Sequence, residues 1–278
     1  MNTPFPKLNL LDSKTIEDIK YFSTTTPGHV GYVDTYWGTG EIKHAEEWLY
    51  EQFNYRINDY GFRGDSVIPN EIDIAAFGCS FTFGTGLAEH MLWHNLLAKE
   101  LNCNSFNFGL PARSIESCVD SFLILSKHIK ISNAIFLFPS LNRFQLAKEN
   151  PDDKGKIYYL NTTPTFKSAL NESFGINEDY VHRSMPEEET KKICKNQVYL
   201  LEHIAKLRNV TVYISSWDLL TYNFLCELDL SHIKILPVWQ SLSMEFAIND
   251  LARDKCHPGP KHHLKWMNEI KEYIKCTM

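Results

Sequence analysis

The chain has 278 residues, 44% of them hydrophobic and 22% charged, which is enough for one large α/β core with additions. Its net charge of −6 comes from 28 basic and 34 acidic residues without a long run of one sign, so it carries no electrostatic footprint for nucleic acid or an anionic membrane. The expected partner is therefore a small molecule or a carbohydrate. The seven cysteines are an odd number without a paired CxxC spacing, which fits reduced thiols better than a disulfide framework. The opening Met1-Asn2-Thr3-Pro4-Phe5-Pro6-Lys7 lacks a basic segment followed by an apolar one, and no apolar stretch reaches membrane-spanning length. A reducing cytoplasm is the expected setting.

Residues 1–70 are rich in aromatics and turn formers, among them Tyr36, Trp37, Trp48 and Tyr55, and read as an N-terminal extension packed on the main domain. Arg63, in the turn-rich connection that ends it, is expected to pair with a surface carboxylate. The main domain runs from 71 to 278. Its organising stretch is Ile72-Asp73-Ile74-Ala75-Ala76-Phe77-Gly78-Cys79-Ser80, an apolar run of strand length ending in glycine, with a serine on the turn before a helical pattern. A helix over Met91–Leu101 and a short strand ending at Gly109 complete a first βαβ unit. A second helix fits Ser114–His128, and Ala134-Ile135-Phe136-Leu137-Phe138 has the continuous apolarity of a strand covered on both faces.

Three strands thus end near one edge with Ser80, Gly109 and Asn142, the edge where open parallel sheets bind ligands. From about 144 to 185 the pattern loses periodicity and gains Asn, Asp, Gly and Pro, which reads as an insertion or lid over that edge. A helix follows Pro186, with Ile193, Val198, Leu201, Ile204 and Leu207 as its apolar side, and Thr211–Ser215 is the next strand. Ile233–Leu236 reads as a short strand. The last helix begins near Pro260, with Leu264, Met267, Ile270 and Ile274 spaced to pack on the sheet.

The second informative stretch is Asp254-Lys255-Cys256-His257-Pro258-Gly259. An aspartate three residues before a histidine on a tight loop can hold one imidazole nitrogen while the other faces a serine. Taken together, Gly78-Cys79-Ser80-Phe81-Thr82-Phe83-Gly84, Asn107-Phe108-Gly109, Asn142 after a buried strand and Asp254-x-x-His257-Pro258-Gly259 resemble, in residues, order and spacing, the sequence blocks of SGNH (GDSL-type) serine hydrolases. The resemblance covers roughly residues 55–278 and leaves the extension and the insertion unexplained. It implies a three-layer α/β/α sandwich with a mostly parallel, flavodoxin-like sheet. It also implies Ser80 as nucleophile, His257 as general base and then acid, Asp254 as the orienting carboxylate, and an oxyanion hole from the Ser80 and Gly109 backbone N–H groups and the Asn142 amide. The implied reaction is ester hydrolysis through an acyl-enzyme, without a cofactor, and O-acetyl groups on carbohydrate are the candidate substrate.

Three positions depart from the family pattern, which usually has aspartate at Cys79, glycine at Ser140 and often aspartate at Arg143. Arg143 adds a cation beside the oxyanion hole and is the candidate for binding an acidic substrate group. A zinc site from Cys256, His257, His262 and His263 is disfavoured, because adjacent histidines at a helix start point in different directions and no second ligand pair with accepted spacing appears. Cys79 as nucleophile is disfavoured because it should point away from a crevice that Ser80 faces. The remaining rivals are a non-catalytic carbohydrate-binding module on the same fold and an O-acyltransferase.

Overall fold

The computed structural model describes residues 55–274 apart from 57, 59–61, 65–67, 112, 150–156, 163–186, 240–249 and 253–256. Five strands form a parallel sheet: β1 (Glu71–Gly78), β2 (Ser105–Asn107), β3 (Lys130–Phe138), β6 (Thr211–Ser216) and β7 (Ile233–Ile235). Their spatial order is β2-β1-β3-β6-β7. Successive strand side chains point to opposite faces, so β1 sends Ala75 and Phe77 to one side and Ile74 and Ala76 to the other. On the first side they meet α3 (Ile115–Leu125) and α4 (Glu187–Arg208), through Val119, Phe122, Val198 and Leu201. On the second they meet α2 (Trp93–Leu101) and α6 (Pro260–Ile270), through Trp93, Leu97, Trp266 and Met267. The result is the expected three-layer sandwich.

The chain order of the sheet reverses between β1 and β3, which pair along their length from Glu71↔Lys130 to Gly78↔Leu137. At such a reversal the connections leave the sheet in opposite directions and open a crevice beyond the strand ends. Ser80 follows β1 and Asn142 follows β3, so both lie at this point.

Several expectations change. The stretch expected to be an aperiodic lid contains an antiparallel hairpin, β4 (Phe144–Glu149) with β5 (Ile157–Thr162). A helix absent from the sequence reading, α5 (Leu219–Cys226), follows β6, with Asp218 capping it by accepting the Thr221 N–H at 3.0 Å. Two leucines expected inside are exposed, Leu207 on α4 (69%) and Leu264 on α6 (46%). The real stripe of α4 runs through Cys194, Val198, Leu201 and Ala205, and α6 instead buries His262, His263 and Trp266. On α6 apolar identity mispoints the stripe because His262 and His263, which have internal partners, occupy buried helix positions. Of the N-terminal extension, the described part packs Tyr55 and Phe62 into the main core. Among the described residues, no helix is long and apolar enough to cross a membrane.

Candidate active site

Ser80 is the first residue of the one-turn helix α1 (Ser80–Phe83), which starts directly at the end of β1. As the first helical residue it has no intrahelical acceptor for its N–H. The helix closes on Gly84, whose left-handed φ of 79° and tight packing against Leu92 leave no room for a side chain. Ser80 is 7% exposed, and its Oγ lies 2.7 Å from His257 Nε2, across 177 residues of sequence. That is hydrogen-bond distance, and with the ring proton on Nδ1 the serine hydroxyl donates to Nε2.

The loop carrying His257 is anchored on both sides. Ala252 N–H donates to the His257 carbonyl at 2.8 Å, Leu251 and Pro258 form a bridge, and Gly259 N–H donates to the Asp250 carbonyl at 2.9 Å. The Asp250 carboxylate accepts the His262 N–H at 2.8 Å and lies 2.9 Å from His262 Nδ1, so a buried Asp–His pair ties the loop to the first turn of α6. A Cβ on Gly259 would come within 2.5 Å of Asp250 Oδ1. Asp254, the expected orienting carboxylate, lies outside the described residues, as does Cys256.

The turn after α1 is clamped from the N-terminal side. Arg63 is 1% exposed and donates to the carbonyls of Phe83 (2.9 Å), Gly84 (2.8 Å) and Leu87 (2.6 Å). Its guanidinium sits 4.5 Å from the Tyr55 ring centroid, and the Tyr55 hydroxyl accepts the Gly86 N–H. Burial lowers the Arg63 pKa to about 10. The surface ion pair expected for Arg63 is therefore wrong: three carbonyls that turn away from regular structure need a fork of donors, and a guanidinium supplies it.

The remaining predicted residues sit around this pair in different ways. Gly109 presses against the backbone of α1, with its Cα too near Phe83 N and Thr82 to carry a Cβ. Its N–H donates to Asn107 Oδ1 at 2.9 Å, while Asn107 Nδ2 donates to the Thr82 carbonyl at 2.9 Å. In this structure the Gly109 N–H is thus committed to a neighbour, and the glycine serves the close approach of two loops. Asn142 is exposed on the turn after β3. That turn is fixed by Arg143 N–H to the Ser140 carbonyl (3.0 Å) and by Leu141 N–H to Thr221 Oγ1 (2.8 Å). No hydrogen bond joins Asn142 to Ser80 or His257 among the described residues.

Sequence reasoning missed Trp217. Its indole stacks on Phe81 at 4.8 Å with the planes 9° apart, and its Nε1–H donates to Cys79 Sγ at 3.3 Å. Phe81 also presents its ring to His257 at 5.6 Å, edge to face. Cys79 is fully buried and points into this packing, away from the crevice, as expected. Trp217 directly follows β6, so the strand-end rule that selected Ser80, Gly109 and Asn142 would also have selected it. His262 and His263 have separate partners, since His263 Nδ1 accepts the Trp93 N–H at 3.1 Å. Among the described residues no group of three or more His, Cys, Asp or Glu is placed to hold a metal ion.

No protein-family model matches the chain, and no curated protein matches it. Among solved structures it is similar to the psychrotrophic esterase EstA from Pseudoalteromonas sp., at 10% identity over 73% of this chain and 96% of that one, with a TM-score of 0.45. It is also similar to a lipolytic protein of the G-D-S-L family from Desulfitobacterium hafniense, at 11% identity over 74% and 100%, with a TM-score of 0.43. A third is the acetyl xylan esterase Est2A from the rumen bacterium Butyrivibrio proteoclasticus, at 14% identity over 80% and 65%, with a TM-score of 0.41. These neighbours are esterases or lipolytic proteins by name.

Proposed function

We propose that this protein is a serine hydrolase of the SGNH type that cleaves carboxylic esters, with O-acetylated carbohydrate as the substrate class. The observation that carries this reading is the 2.7 Å contact between Ser80 Oγ and His257 Nε2 at the reversal point of a parallel sheet. A serine hydroxyl is a weak nucleophile near neutrality, and a hydrogen-bonded base is what activates it. His257 Nε2 takes the hydroxyl proton as Oγ bonds to the ester carbonyl carbon, and the tetrahedral intermediate collapses as the C–O bond to the alcohol breaks. The alcohol leaves with that proton. Water then adds to the acyl-enzyme with His257 again as base, the acyl–Oγ bond breaks, and the proton returns to Oγ as the acid departs.

In this mechanism Asp254 holds His257 Nδ1–H, and the Ser80 N–H and Asn142 amide stabilise the oxyanion. Pre-aimed donors matter because negative charge builds on one oxygen, and each is worth about 100- to 1,000-fold in rate. The committed Gly109 N–H joins them only by leaving Asn107. Half-buried Trp217, which stacks on the buried Phe81 beside the pair, supports the carbohydrate part of the reading, since sugar rings pack their C–H groups on aromatic side chains.

Intact-mass detection of fluorophosphonate labelling tests the mechanism. Wild type is expected to take one adduct, and Ser80→Ala and His257→Ala none, with both variants keeping the wild-type circular dichroism spectrum. A folded Ser80→Ala protein that still labels or turns over acetyl esters overturns the assignment, and a wild type inert to fluorophosphonate and to a smaller sulfonyl fluoride favours a binding module instead.

A further inference from the structure

The two residues that flank Ser80 both reach the same indole. Cys79 precedes α1 without capping it through its side chain, and its Sγ instead accepts the Trp217 Nε1–H at 3.3 Å. Phe81 stacks on that indole at 4.8 Å with the planes 9° apart. Contacts on both sides of the nucleophile restrain the rotation of the turn as well as its position, which a contact on one side would not do.

Phe81 passes this restraint on to the base. Its ring lies 5.6 Å from that of His257, edge to face at 70°, and 6.0 Å from that of Trp239 at 84°. Close-packed rings prefer a narrow set of mutual orientations, so a fixed Phe81 limits the tilt of the imidazole. That tilt decides whether Nε2 stays within 2.7 Å of Ser80 Oγ. The indole stands on fixed backbone. Ser216, the residue before it, donates its hydroxyl to the Phe138 carbonyl at 2.9 Å and accepts the Asp218 N–H on the same oxygen at 3.0 Å. The Ser216 carbonyl accepts the Trp239 N–H at 3.0 Å, so the ends of β3 and β6 and both tryptophans are tied at one residue. Arg143, with Nε and Nη1 buried, places Cζ 5.2 Å from the Trp217 ring and leaves the indole little room to swing.

We infer that Trp217 is a positioning residue for the reaction: through Cys79 and Phe81 it holds Ser80 and His257 in register, and the Cys79 thiol is the acceptor that orients it. The inference rests on the serine-hydrolase reading for the chemistry and on the Cys79–Trp217–Phe81–His257 arrangement for the role. The role is exercised through Ser80 and His257 and requires no contact with substrate.

The test measures the rate of fluorophosphonate labelling at Ser80, and kcat and KM for phenyl acetate, in wild type, Trp217→Phe, Cys79→Ala, the double variant and Cys79→Ser. Neither reagent offers a sugar ring, so loss of a sugar contact alone would leave both reactions unchanged. Trp217→Phe keeps a ring for Phe81 and removes the N–H, whereas Cys79→Ala keeps the indole and removes its acceptor. Each single variant, with a wild-type circular dichroism spectrum, is expected to label about 5- to 10-fold more slowly. The loss should fall on kcat, with KM within about twofold of wild type. Because both changes remove one hydrogen bond, the double variant should label within about twofold of the slower single variant, where independent effects would multiply to about 25- to 100-fold. Cys79→Ser, whose hydroxyl also accepts an N–H, should stay within about threefold of wild type. Single variants that label within about twofold of wild type, multiplied effects in the double variant, or a Cys79→Ser protein as slow as Cys79→Ala each overturn the inference and leave the hydrolase reading standing. A wild type that labels with neither fluorophosphonate nor a small sulfonyl fluoride refutes the hydrolase reading, and the positioning role falls with it.

Discussion

Replacing Arg63 with methionine keeps much of the side chain's volume and apolar packing while removing every donor. Three carbonyls, those of Phe83, Gly84 and Leu87, then lose the guanidinium; Gly84 keeps the Leu87 N–H at 3.1 Å and Phe83 keeps Asn107 Nδ2 at 3.4 Å. Hydrogen bonds to a charged donor are worth about 1.5–3 kcal/mol each. Against this stands the cost of burying the charge: a pKa lowered to about 10 from 12.5 means that the charged form is disfavoured by about 3 kcal/mol, a penalty that methionine removes. The bonds outweigh the penalty, and the expected net loss is about 2–5 kcal/mol. Urea denaturation reads it as a lower midpoint at unchanged slope. Because the clamped turn directly follows α1, the rate of fluorophosphonate labelling at Ser80 is expected to fall as well. Arg63→Lys should recover part of both losses, since one ammonium reaches fewer of the carbonyls. A methionine variant within about 1 kcal/mol of wild type would show that water or other donors satisfy the turn and that Arg63 is no clamp.

Two further outcomes follow from the histidines and the loop they flank. His94 and His263 are buried, and burial lowers both pKa values, that of His94 from 6.5 to about 3 and that of His263 well below the ordinary range. The unfolded chain therefore binds more protons than the folded one on acidification, so stability is complete above about pH 6.5 and falls as the pH drops toward 3. The slope is about 1.4 kcal/mol per pH unit for each histidine. Urea midpoints should fall between pH 7 and pH 5, and His94→Gln should show a shallower dependence than wild type; identical slopes would refute neutral burial of His94. For the pair behind the His257 loop, Asp250→Ala leaves the His262 N–H without its acceptor and removes the side-chain tie between the loop and α6, while the backbone bonds of Ala252 and Gly259 remain. The expected results are a loss of about 2–3 kcal/mol and a labelling rate reduced ~10-fold, with Asp250→Asn intermediate. Labelling within twofold of wild type in Asp250→Ala would show that the loop holds its shape without the pair.

The sequence by itself determined the elements whose cause is local. The strand before Ser80, the apolar run of β3, the Ser114 and Pro260 helix starts and the glycine turns all follow from periodicity and capping chemistry, which act over a few residues. Family-like spacing also brought Ser80 and His257 into one expectation, although 177 residues separate them. What only the tertiary structure decided are the roles that depend on a partner far along the chain. Arg63 reads as a surface cation because no local pattern announces three carbonyls from residues 83–87, and Cys79 reads as a loss of charge until Trp217 appears as its hydrogen-bond donor. Leu207 and Leu264 read as core because hydrophobicity gives a preference for burial, whereas Asp250 with His262, and Trp93 with His263, allow polar side chains to take the buried positions. Burial of a polar group is favourable only once its partner is in place, and that partner is supplied by the fold.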